Sequence, residues 1–507
     1  MSRLRLFVAL DEEETTVVGR IAIQHRSVVV VRRSLDSRRG RPIGYDLELA
    51  IDEADPFPRL PPPLKLGRPW HVVVIGAGPA GTFAALRLVE AGAQVTVVEQ
   101  GKPVQPRRHD LASLTQRGDL HSTSNYCFGE GGAGTFSDGK LYTRVKDRAG
   151  VGSVLQTLVE HGAEASIEID SRPHIGSNRL PPLLVSLRET LQARGVRYHW
   201  EQSVSALLVN GTRVGGVRCL SGLEIAADAT LLAVGHSARS LYESLHAQGV
   251  ALVAKPFAMG ARIEHPQSFV DRAQYGRAYE HPRLPAAFYH VTAQVAPTGA
   301  GNRGVYSFCM CPGGWVVNSS TEPGRLCTNG MSLSRRDSPR ANAALVVTVE
   351  PSDYQGRYGE GPLAGLAMQR AVEEQAFALG GGSFVAPAQR LDDFVAKRPS
   401  TRAEASSYRP SIVPGDVRSA LPTFVGDALA LALRQFDRTM RGFFHSEAQL
   451  VGVETRTSSP VRIVRNEDGQ SPSHAGLFPV GEGAGFAGGI VSAAIDGLLA
   501  ADRILSM

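Results

Sequence analysis

The hydrophobic pattern changes sharply after residue 70. His71–Ile75 is apolar after its first residue, which predicts a buried strand. A glycine-rich turn follows, and Thr82–Ala91 then shows the apolar spacing of an amphipathic helix. Gln94–Val98 is a second run rich in valine, which predicts another strand. Together these segments predict a strand–helix–strand unit with parallel strands, about 30 residues long.

The turn between this strand and helix reads G-x-G-x-x-G. The same pattern begins at four places in the chain: Gly76, Gly129, Gly299 and Gly483. Only the copy at Gly76 has a strand before it and both a helix and a strand after it. The copy at Gly483 lies between a strand and a helix, but we expect no second strand before Met507. The copy at Gly76 is therefore predicted to bind a dinucleotide.

The glycines of this first copy have separate roles. Gly76 permits the tight turn, Gly78 lets the backbone approach a pyrophosphate, and Gly81 lets the helix pack closely on the strand. Pro79 and Ala80 begin the helix, whose free N–H groups and positive dipole end favour phosphate.

The second predicted strand ends in a carboxylate. Glu99 lies 23 residues after Gly76, with Gln100 beside it. At this spacing a carboxylate accepts hydrogen bonds from ribose hydroxyls. It also repels a 2′-phosphate, so the site is predicted to favour FAD or NAD over NADP.

Elements much later in the chain favour FAD over NAD. A helix beginning near Leu180 leads into a third strand at Val196–Trp200, and a three-stranded meander follows. An apolar strand at Ala229–Val234 and a strand with a following helix near residue 480 complete an order of elements that recurs in flavoproteins that bind two dinucleotides. A simple NAD dehydrogenase would not need the C-terminal piece. One FAD site would use residues from all of them: Val204 for backbone contact with adenine, Gly235, His236, Gly481, Glu482, Gly488, Gly489 and Ile490.

Five segments of the sequence carry a resemblance to a known family. They are the unit at 71–99, Phe128–Thr143, Gly235–Arg239 (GHSAR), Phe308–Gly314 (FCMCPGG), and Glu454–Ile463 (ETRTSSPVRI) with the glycine-rich end at 481–497. The chain resembles the FAD-dependent dehydrogenase family, a branch of the glutathione-reductase-like flavoproteins that bind two dinucleotides. The resemblance covers essentially the whole chain and implies no particular substrate.

The resemblance and the pattern together predict an α/β protein. A Rossmann-like FAD-binding domain would occupy residues 67–250 and 461–507. An α+β substrate domain would be inserted at residues 251–460. A small α+β unit with a proline-rich linker would occupy residues 1–66.

The segment Phe128–Thr143 has clustered glycines without a helical pattern, which indicates close backbone approach to a ligand. In the superfamily that the chain resembles, this segment passes the isoalloxazine ring of the flavin. The predicted cofactor contacts within it are Gly131, Gly132, Gly134, Thr135, Ser137 and Lys140. Lys140 or a backbone N–H would then stabilise the anionic N1–C2 region of a reduced flavin.

Acid–base and anion-binding candidates lie outside the glycine turns. They are His174, His445 and Arg456, with Lys140 as a fourth, because histidine titrates near neutrality and arginine can hold a carboxylate bidentately. Cys309 and Cys311 are two apart on a predicted strand and share a face. They pack in the interior, face the flavin as thiols, or form a redox pair. No metal site is expected.

The leading functional prediction is an FAD-dependent dehydrogenase or reductase that exchanges hydride with a small organic substrate. NAD(P)H stays open as an electron donor, since no second dinucleotide unit is evident. One alternative is a monooxygenase, although Asp228-Ala229 departs from the D-G motif of aromatic hydroxylases. A flavin-bearing RNA-binding or RNA-modifying protein is another alternative, suggested by the arginine-rich segment 32–41 alone.

Charge and composition narrow the partners and the compartment. The 54 Lys and Arg residues against 49 Asp and Glu give a net charge of only +5, so nucleic acid is not an expected partner. No stretch is apolar enough for a membrane span, and five irregularly spaced cysteines do not suggest a disulfide framework. We expect a cytoplasmic protein, and the sequence says nothing about its oligomeric state.

Overall fold

The structure is a computed structural model that describes residues 2–38, 40–67, 70–299 and 301–507. The N-terminal unit is a three-stranded antiparallel sheet in the order β1-β3-β2, with a helix after its first strand. Its elements are β1 (Ser2–Ala9), α1 (Glu14–Ala22), β2 (Val28–Asp36) and β3 (Gly44–Ile51).

The arginine-rich segment 32–41 begins within a strand of this unit. Arg32 and Arg33 belong to β2, and residue 39 lies outside the described residues. The Arg33 Nε donates to Asp170 Oδ1 at 2.7 Å, and Arg38 pairs with Asp36. These arginines therefore pair with carboxylates of the chain itself, and Arg33 ties the N-terminal unit to the next part of the molecule.

The next part contains the predicted parallel sheet. Its elements are β4 (His71–Ile75), α2 (Pro79–Glu90), β5 (Gln94–Val98), α3 (Val104–Arg117), α4 (Arg148–Glu160), α5 (Leu180–Ala193), β6 (Arg197–His199), β7 (Val204–Asn210), β8 (Arg213–Cys219), β9 (Glu224–Ala226), β10 (Ala229–Leu232) and α6 (Arg239–Ala247). Strands β7 to β9 form the predicted meander. Helix α2 begins three residues earlier than its apolar spacing indicates, because Pro79 is suited to the first helical turn.

A larger antiparallel sheet follows. Its elements, with those beside it, are β11 (Leu252–Ala254), β12 (Phe257–Pro266), α7 (Gln267–Tyr275), β13 (Thr292–Val295), β14 (Arg303–Cys311), β15 (Gly314–Asn318), β16 (Thr328–Ser332), β17 (Arg340–Val349), α8 (Pro351–Tyr354), α9 (Ala364–Leu379), β18 (Ala386–Arg390), α10 (Leu391–Val395), β19 (Ile412–Pro414), α11 (Val417–Ala420), α12 (Thr423–Thr439), β20 (Gln449–Glu454) and β21 (Val461–Ile463). Seven strands pair in the order β13-β14-β17-β12-β20-β18-β19, and only β18 and β19 run parallel.

The end of the chain returns to the first sheet. Strand β22 (Leu477–Pro479) pairs with β10, which gives a parallel sheet in the order β22-β10-β4-β5-β6. Helix α13 (Ile490–Leu505) then packs so closely on α2 that a Cβ at Gly497 would lie 2.1 Å from the Ala80 carbonyl oxygen. The α/β fold with a Rossmann-like sheet and a large insertion is thereby confirmed. Within the described residues, no helix is long and apolar enough to span a bilayer.

Candidate functional site

A cavity of about 620 Å³ opens at the carboxyl edge of the parallel sheet. Its wall contains Ile75, the last residue of β4, and the residues that directly follow β5, β10 and β22, namely Glu99, Ala233 and Val480. Open α/β sheets bind their ligands at this edge, since the loops that follow the strands diverge there. The cavity therefore lies where the sequence predicted a dinucleotide.

The first glycine turn has the shape that its sequence predicts. Gly76 has φ +102°, and a Cβ there would lie 2.4 Å from the Ala233 carbonyl oxygen. A Cβ at Gly81 would lie 2.0 Å from the Gly76 carbonyl oxygen, so this glycine lets α2 pack on the turn without itself lining the cavity. At Gly78, which precedes α2 and lines the cavity, no described atom would lie within 4 Å of a Cβ. The space before the helix is therefore open to a ligand.

A second helix also begins at the cavity. Gly489 precedes α13 with φ +84°, and both Gly489 and Ile490 line the cavity with Pro79 and Ala80 of α2. Two helix N-termini thus present free N–H groups and positive dipole ends to one space. That arrangement fits a diphosphate, which carries charge on both phosphates.

The Glu99 carboxylate is fixed in place by hydrogen bonds from the backbone. Its carboxylate accepts hydrogen bonds from the backbone N–H groups of Ala77, Gly101 and Gly129 at 2.9, 2.9 and 3.0 Å. It is 6% exposed and lines the cavity beside Gln100. Glu99 therefore joins the first turn to the later glycine-rich segment, and hydroxyls can use only its remaining lone pairs. Its contact with ribose stays a prediction.

The glycine-rich segment contributes Gly132, Gly134, Ser137 and Lys140 to the cavity wall. Gly131 and Thr135 are placed behind that wall. The Gly131 N–H donates to the Ala77 carbonyl at 2.8 Å, and the Thr135 hydroxyl donates to the Glu130 carbonyl at 2.6 Å. These two residues shape the segment, and their contact with the cofactor stays a prediction.

Arg107 holds this segment in place, a role that the sequence analysis missed. Its buried guanidinium donates to the carbonyl oxygens of Asn125, Glu130 and Gly132 at 2.9, 2.7 and 2.8 Å. Nothing in the local pattern distinguishes this arginine from the other basic residues of α3. Its partners lie 18 to 25 residues further along the chain.

His236 and Glu482 face each other across the cavity mouth, with His236 Nδ1 lying 3.8 Å from Glu482 Oε2. Burial lowers the pKa of His236 to about 4, and the positive charges of Arg456 and Arg239 act in the same direction. Burial raises the pKa of Glu482 to about 7, against the opposing charge of Lys255. Gly235 and Gly481 line the cavity beside them, and a Cβ at Gly488 would lie 3.7 Å from Glu482 Oε1. These shifts favour the neutral form of both side chains relative to the same groups in water.

Arg456 also reaches the cavity wall, but its guanidinium is already engaged. Its Nε and one terminal nitrogen donate to the two oxygens of Glu373 at 2.9 and 2.7 Å, and the other terminal nitrogen donates to the Thr321 hydroxyl at 2.6 Å. Arg239 holds the same carboxylate at 2.7 and 2.9 Å. The bidentate fork that was expected to hold a substrate anion therefore holds Glu373.

Glu373 itself is fully buried in α9 between these two arginines. Burial alone would raise the pKa of Glu373, but Arg239 and Arg456 lower it well below its usual range. The sequence shows Arg239 within GHSAR but indicates no role for it, and no sequence pattern pointed to Glu373.

The two histidine candidates lie elsewhere. His174 does not line the cavity, although its backbone pairs with that of Lys140. Its Nε2 lies 3.2 Å from the Ser334 carbonyl oxygen, and burial lowers its pKa. His445 lines a separate depression, where its ring packs 5.7 Å from that of Phe269. Neither histidine lines the cavity, and a role for either beside the flavin stays a prediction.

The inserted part supplies another wall through Phe308 and Cys309 of β14, Asn329 of β16 and Thr457, which lies after β20. Lys140 Nζ lies 3.8 Å from Cys309 Sγ, 3.7 Å from Cys311 Sγ and 3.5 Å from Asp138 Oδ2. Val204, the first residue of the meander, also lines the cavity. One cavity therefore contains both the glycine turns that suit phosphates and charged and sulfur-bearing side chains.

Comparisons with known proteins agree with this geometry. Residues 71–109 match the model of an FAD binding domain, and residues 256–457 match the model of the FAD-dependent protein, C-terminal domain-like family. A relative from Clostridium beijerinckii, described as an uncharacterized protein, is 43% identical over 437 residues, which are 85% of this chain and 80% of the relative.

Several solved structures are distantly similar to the chain. CtdE in complex with FAD is 10% identical, with 85% of this chain and 82% of that chain covered and a TM-score of 0.32. Glycine oxidase from Geobacillus kaustophilus is 13% identical, with 86% and 93% covered and a TM-score of 0.33. The FrdA subunit of quinol fumarate reductase from E. coli is 12% identical, with 87% and 70% covered and a TM-score of 0.37. Resemblances this distant add nothing about a substrate.

FAD fits the residues that the structure brings together. Two helix N-termini and an open space before Gly78 suit the pyrophosphate. The Ser237 hydroxyl lines the cavity and, among the described residues, has no hydrogen-bond partner, so a polar ligand can satisfy it. The chain belongs to the family of FAD-dependent proteins with this C-terminal domain, and it is an FAD-dependent flavoprotein.

Proposed function

We propose that the protein is an FAD-dependent oxidoreductase that exchanges hydride with a small organic substrate. Bound flavin accepts or donates a hydride at N5. The observation that carries the proposal is the single cavity that has the dinucleotide turn at one end and the inserted sheet at the other. A substrate held by Phe308, Asn329 and Thr457 would share one enclosed space with the cofactor.

The residues of the chain assist this reaction by binding and by charge. Gly78 and Gly489 leave room for phosphates at the two helix N-termini. Lys140 places an ammonium group at the cavity wall, and its pKa is raised because Asp138 and the two thiols outweigh its burial. A fixed positive charge there favours a cofactor that gains negative charge on reduction.

Arg456 has a positioning role in this proposal. Together with Arg239 it fixes the buried Glu373, which lies on α9 of the inserted part, against residues at the cavity wall. The three side chains thereby couple the position of the inserted sheet to that of the FAD-binding part.

The source of electrons is proposed to be the organic substrate itself. The described strands include one five-stranded parallel sheet, and that sheet already carries the turn that is predicted to bind FAD. NAD(P)H could still react from solution, as an external reductant that needs no dinucleotide domain of its own.

An anaerobic reduction experiment tests the proposal. Purified FAD-loaded protein is mixed with a panel of hydroxy acids, amines and carbonyl compounds, with and without NAD(P)H, and flavin absorbance is followed. We expect one compound class to bleach or restore the absorbance, more slowly when its carbon-bound hydrogen is deuterium. In a parallel aerobic reaction under labelled O₂, product that carries the label would contradict hydride exchange and favour a monooxygenase.

A further inference from the structure

Cys309 has an unusual backbone conformation. Its φ is +45°, in the left-handed region that residues other than glycine seldom adopt, and the pairing of β14 with β17 is interrupted between Phe308 and Cys311. The Cys309 carbonyl accepts hydrogen bonds from an Arg262 terminal nitrogen at 3.0 Å and from the Cys311 thiol at 3.3 Å. Such strained residues cluster at functional sites, where the surrounding structure maintains them.

The bulge turns Cys309 toward the cavity and leaves Cys311 in the interior. Cys309 lines the cavity and is partly exposed, whereas Cys311 is fully buried. Lys140, which also lines the cavity, contacts both sulfurs. The Cys309 thiol is thus open to a ligand, and the Cys311 thiol lies next to it in the interior.

The charges around Cys309 favour its anionic form. The Cys311 side chain, which is hydrogen-bonded to the backbone of residue 309, lowers the pKa of Cys309 well below its ordinary value, and Lys140 and Arg262 add to this effect against burial and Asp138. Cys311 stays protonated, because its bond to Cys309 and its burial raise its pKa. Two of the nearby carboxylates, Asp138 and Glu454, are paired with arginines. A third acidic group, Glu482, interacts electrostatically with Cys309.

We infer that Cys309 is a nucleophilic thiolate site inside the cavity, and that it takes ligands with an electrophilic carbon, namely the β-carbon of an α,β-unsaturated carbonyl compound. In the adduct a bond forms between Sγ and the β-carbon. The carbon–carbon π pair moves to the carbonyl oxygen as an enolate. The Lys140 ammonium supplies the proton that converts the enolate to a ketone and regains a proton from water. No oxidant or reductant is needed, so this site does not depend on the proposed hydride exchange.

The test uses N-ethylmaleimide, itself an activated alkene, on the full FAD-loaded protein. Labelling of each cysteine is followed by peptide mass spectrometry between pH 5 and pH 10. Cys127 lines the same cavity and serves as an internal comparison. We expect Cys309 to react at pH 6.5 at least about tenfold faster than Cys127, with a half-maximal rate well below the pH of about 8.5 for an ordinary thiol.

Matched variants separate the chemistry from simple access. Cys311→Ala removes the hydrogen-bond donor and should raise the pH of half-maximal labelling by at least about one unit, whereas Cys311→Ser keeps a donor and should change it little. Lys140→Met should raise it as well, and Lys140→Arg should restore most of the effect. The inference is overturned if wild-type Cys309 is labelled with the pH profile of an ordinary thiol, if Cys127 reacts first, or if Cys311→Ala leaves the profile unchanged.

Discussion

The two ends of the cavity are built in different ways. The end beside the parallel sheet is made mostly of backbone: glycine turns, two helix N-termini and the N–H groups that surround Glu99. The end beside the inserted sheet is made of side chains, among them the partly exposed Lys140 and Cys309 and the buried Arg239–Glu373–Arg456 cluster. A backbone cradle suits a cofactor shared by many proteins, while side chains specify what reacts with it.

The largest expected effect follows from filling the backbone cradle. Gly78→Val places a side chain in the open space before α2, where no described atom opposes it, so the protein should fold. We expect the purified variant to be colourless and to release no FAD on heating, as judged by chromatography. Gly215→Val is the control, because this exposed strand glycine lies outside the cavity wall and should leave FAD content unchanged. Normal FAD content in Gly78→Val would show that the pyrophosphate binds elsewhere.

At the end beside the inserted sheet, removal of a buried charge should destabilise the protein. Glu373→Gln leaves two buried arginines without their shared carboxylate and should destabilise the protein by about 3–5 kcal/mol. Its neighbour Glu374 is half-exposed and pairs with Arg325, so Glu374→Gln should cost about 1 kcal/mol or less. Thermal unfolding of both variants at the same pH and FAD concentration measures the difference. Equal shifts in the two variants would contradict the cluster's role.

A smaller, pH-dependent effect belongs to Glu482. Burial raises its pKa from 4.5 to about 7, so the folded protein holds a proton in this window that the unfolded chain releases. Folding is therefore disfavoured as pH rises from 4.5 through 7. Between pH 5 and 8, FAD-free wild type should lose about 1–3 kcal/mol relative to Glu482→Gln, which cannot ionise. Parallel stability curves for the two proteins would show that the Glu482 carboxyl is not perturbed.

The smallest effect is expected at His445. It lies in a separate depression beside Phe269, away from both ends of the cavity. His445→Ala should therefore leave FAD content and flavin reduction rate within about twofold, as for other surface substitutions away from special features. A loss of reduction rate with normal FAD content would return this histidine to the active site.

The same division explains what the sequence could predict. Gly76, Gly78, Gly81 and Glu99 form a pattern within one short unit, and their spacing alone predicts a dinucleotide-binding turn. Glu373 lies 134 residues from Arg239 and 83 from Arg456, so only the pairing of distant elements brings the three together. On an amphipathic helix such a glutamate has the pattern of a surface residue.

Cys309 was unpredictable for a related reason. Regular alternation along a strand puts Cys309 and Cys311 on one face, and this left packing, a flavin-facing thiol and a redox pair all open. The bulge in β14 is a tertiary feature that depends on Arg262 and on the partner strand. It separates one thiol from the other, and no local signal in the sequence indicates it.

The most direct test of the account is an experimental structure of the FAD-loaded protein. We predict pyrophosphate oxygens within about 2.7–3.2 Å of backbone N–H groups at the start of α2 or α13. We also predict that the isoalloxazine ring reaches the end of the cavity at Lys140 and Cys309, in van der Waals contact at about 3.5–4.0 Å with at least one of them. A ring that points away from the inserted sheet, with neither side chain in contact, would contradict a single cavity shared by cofactor and substrate.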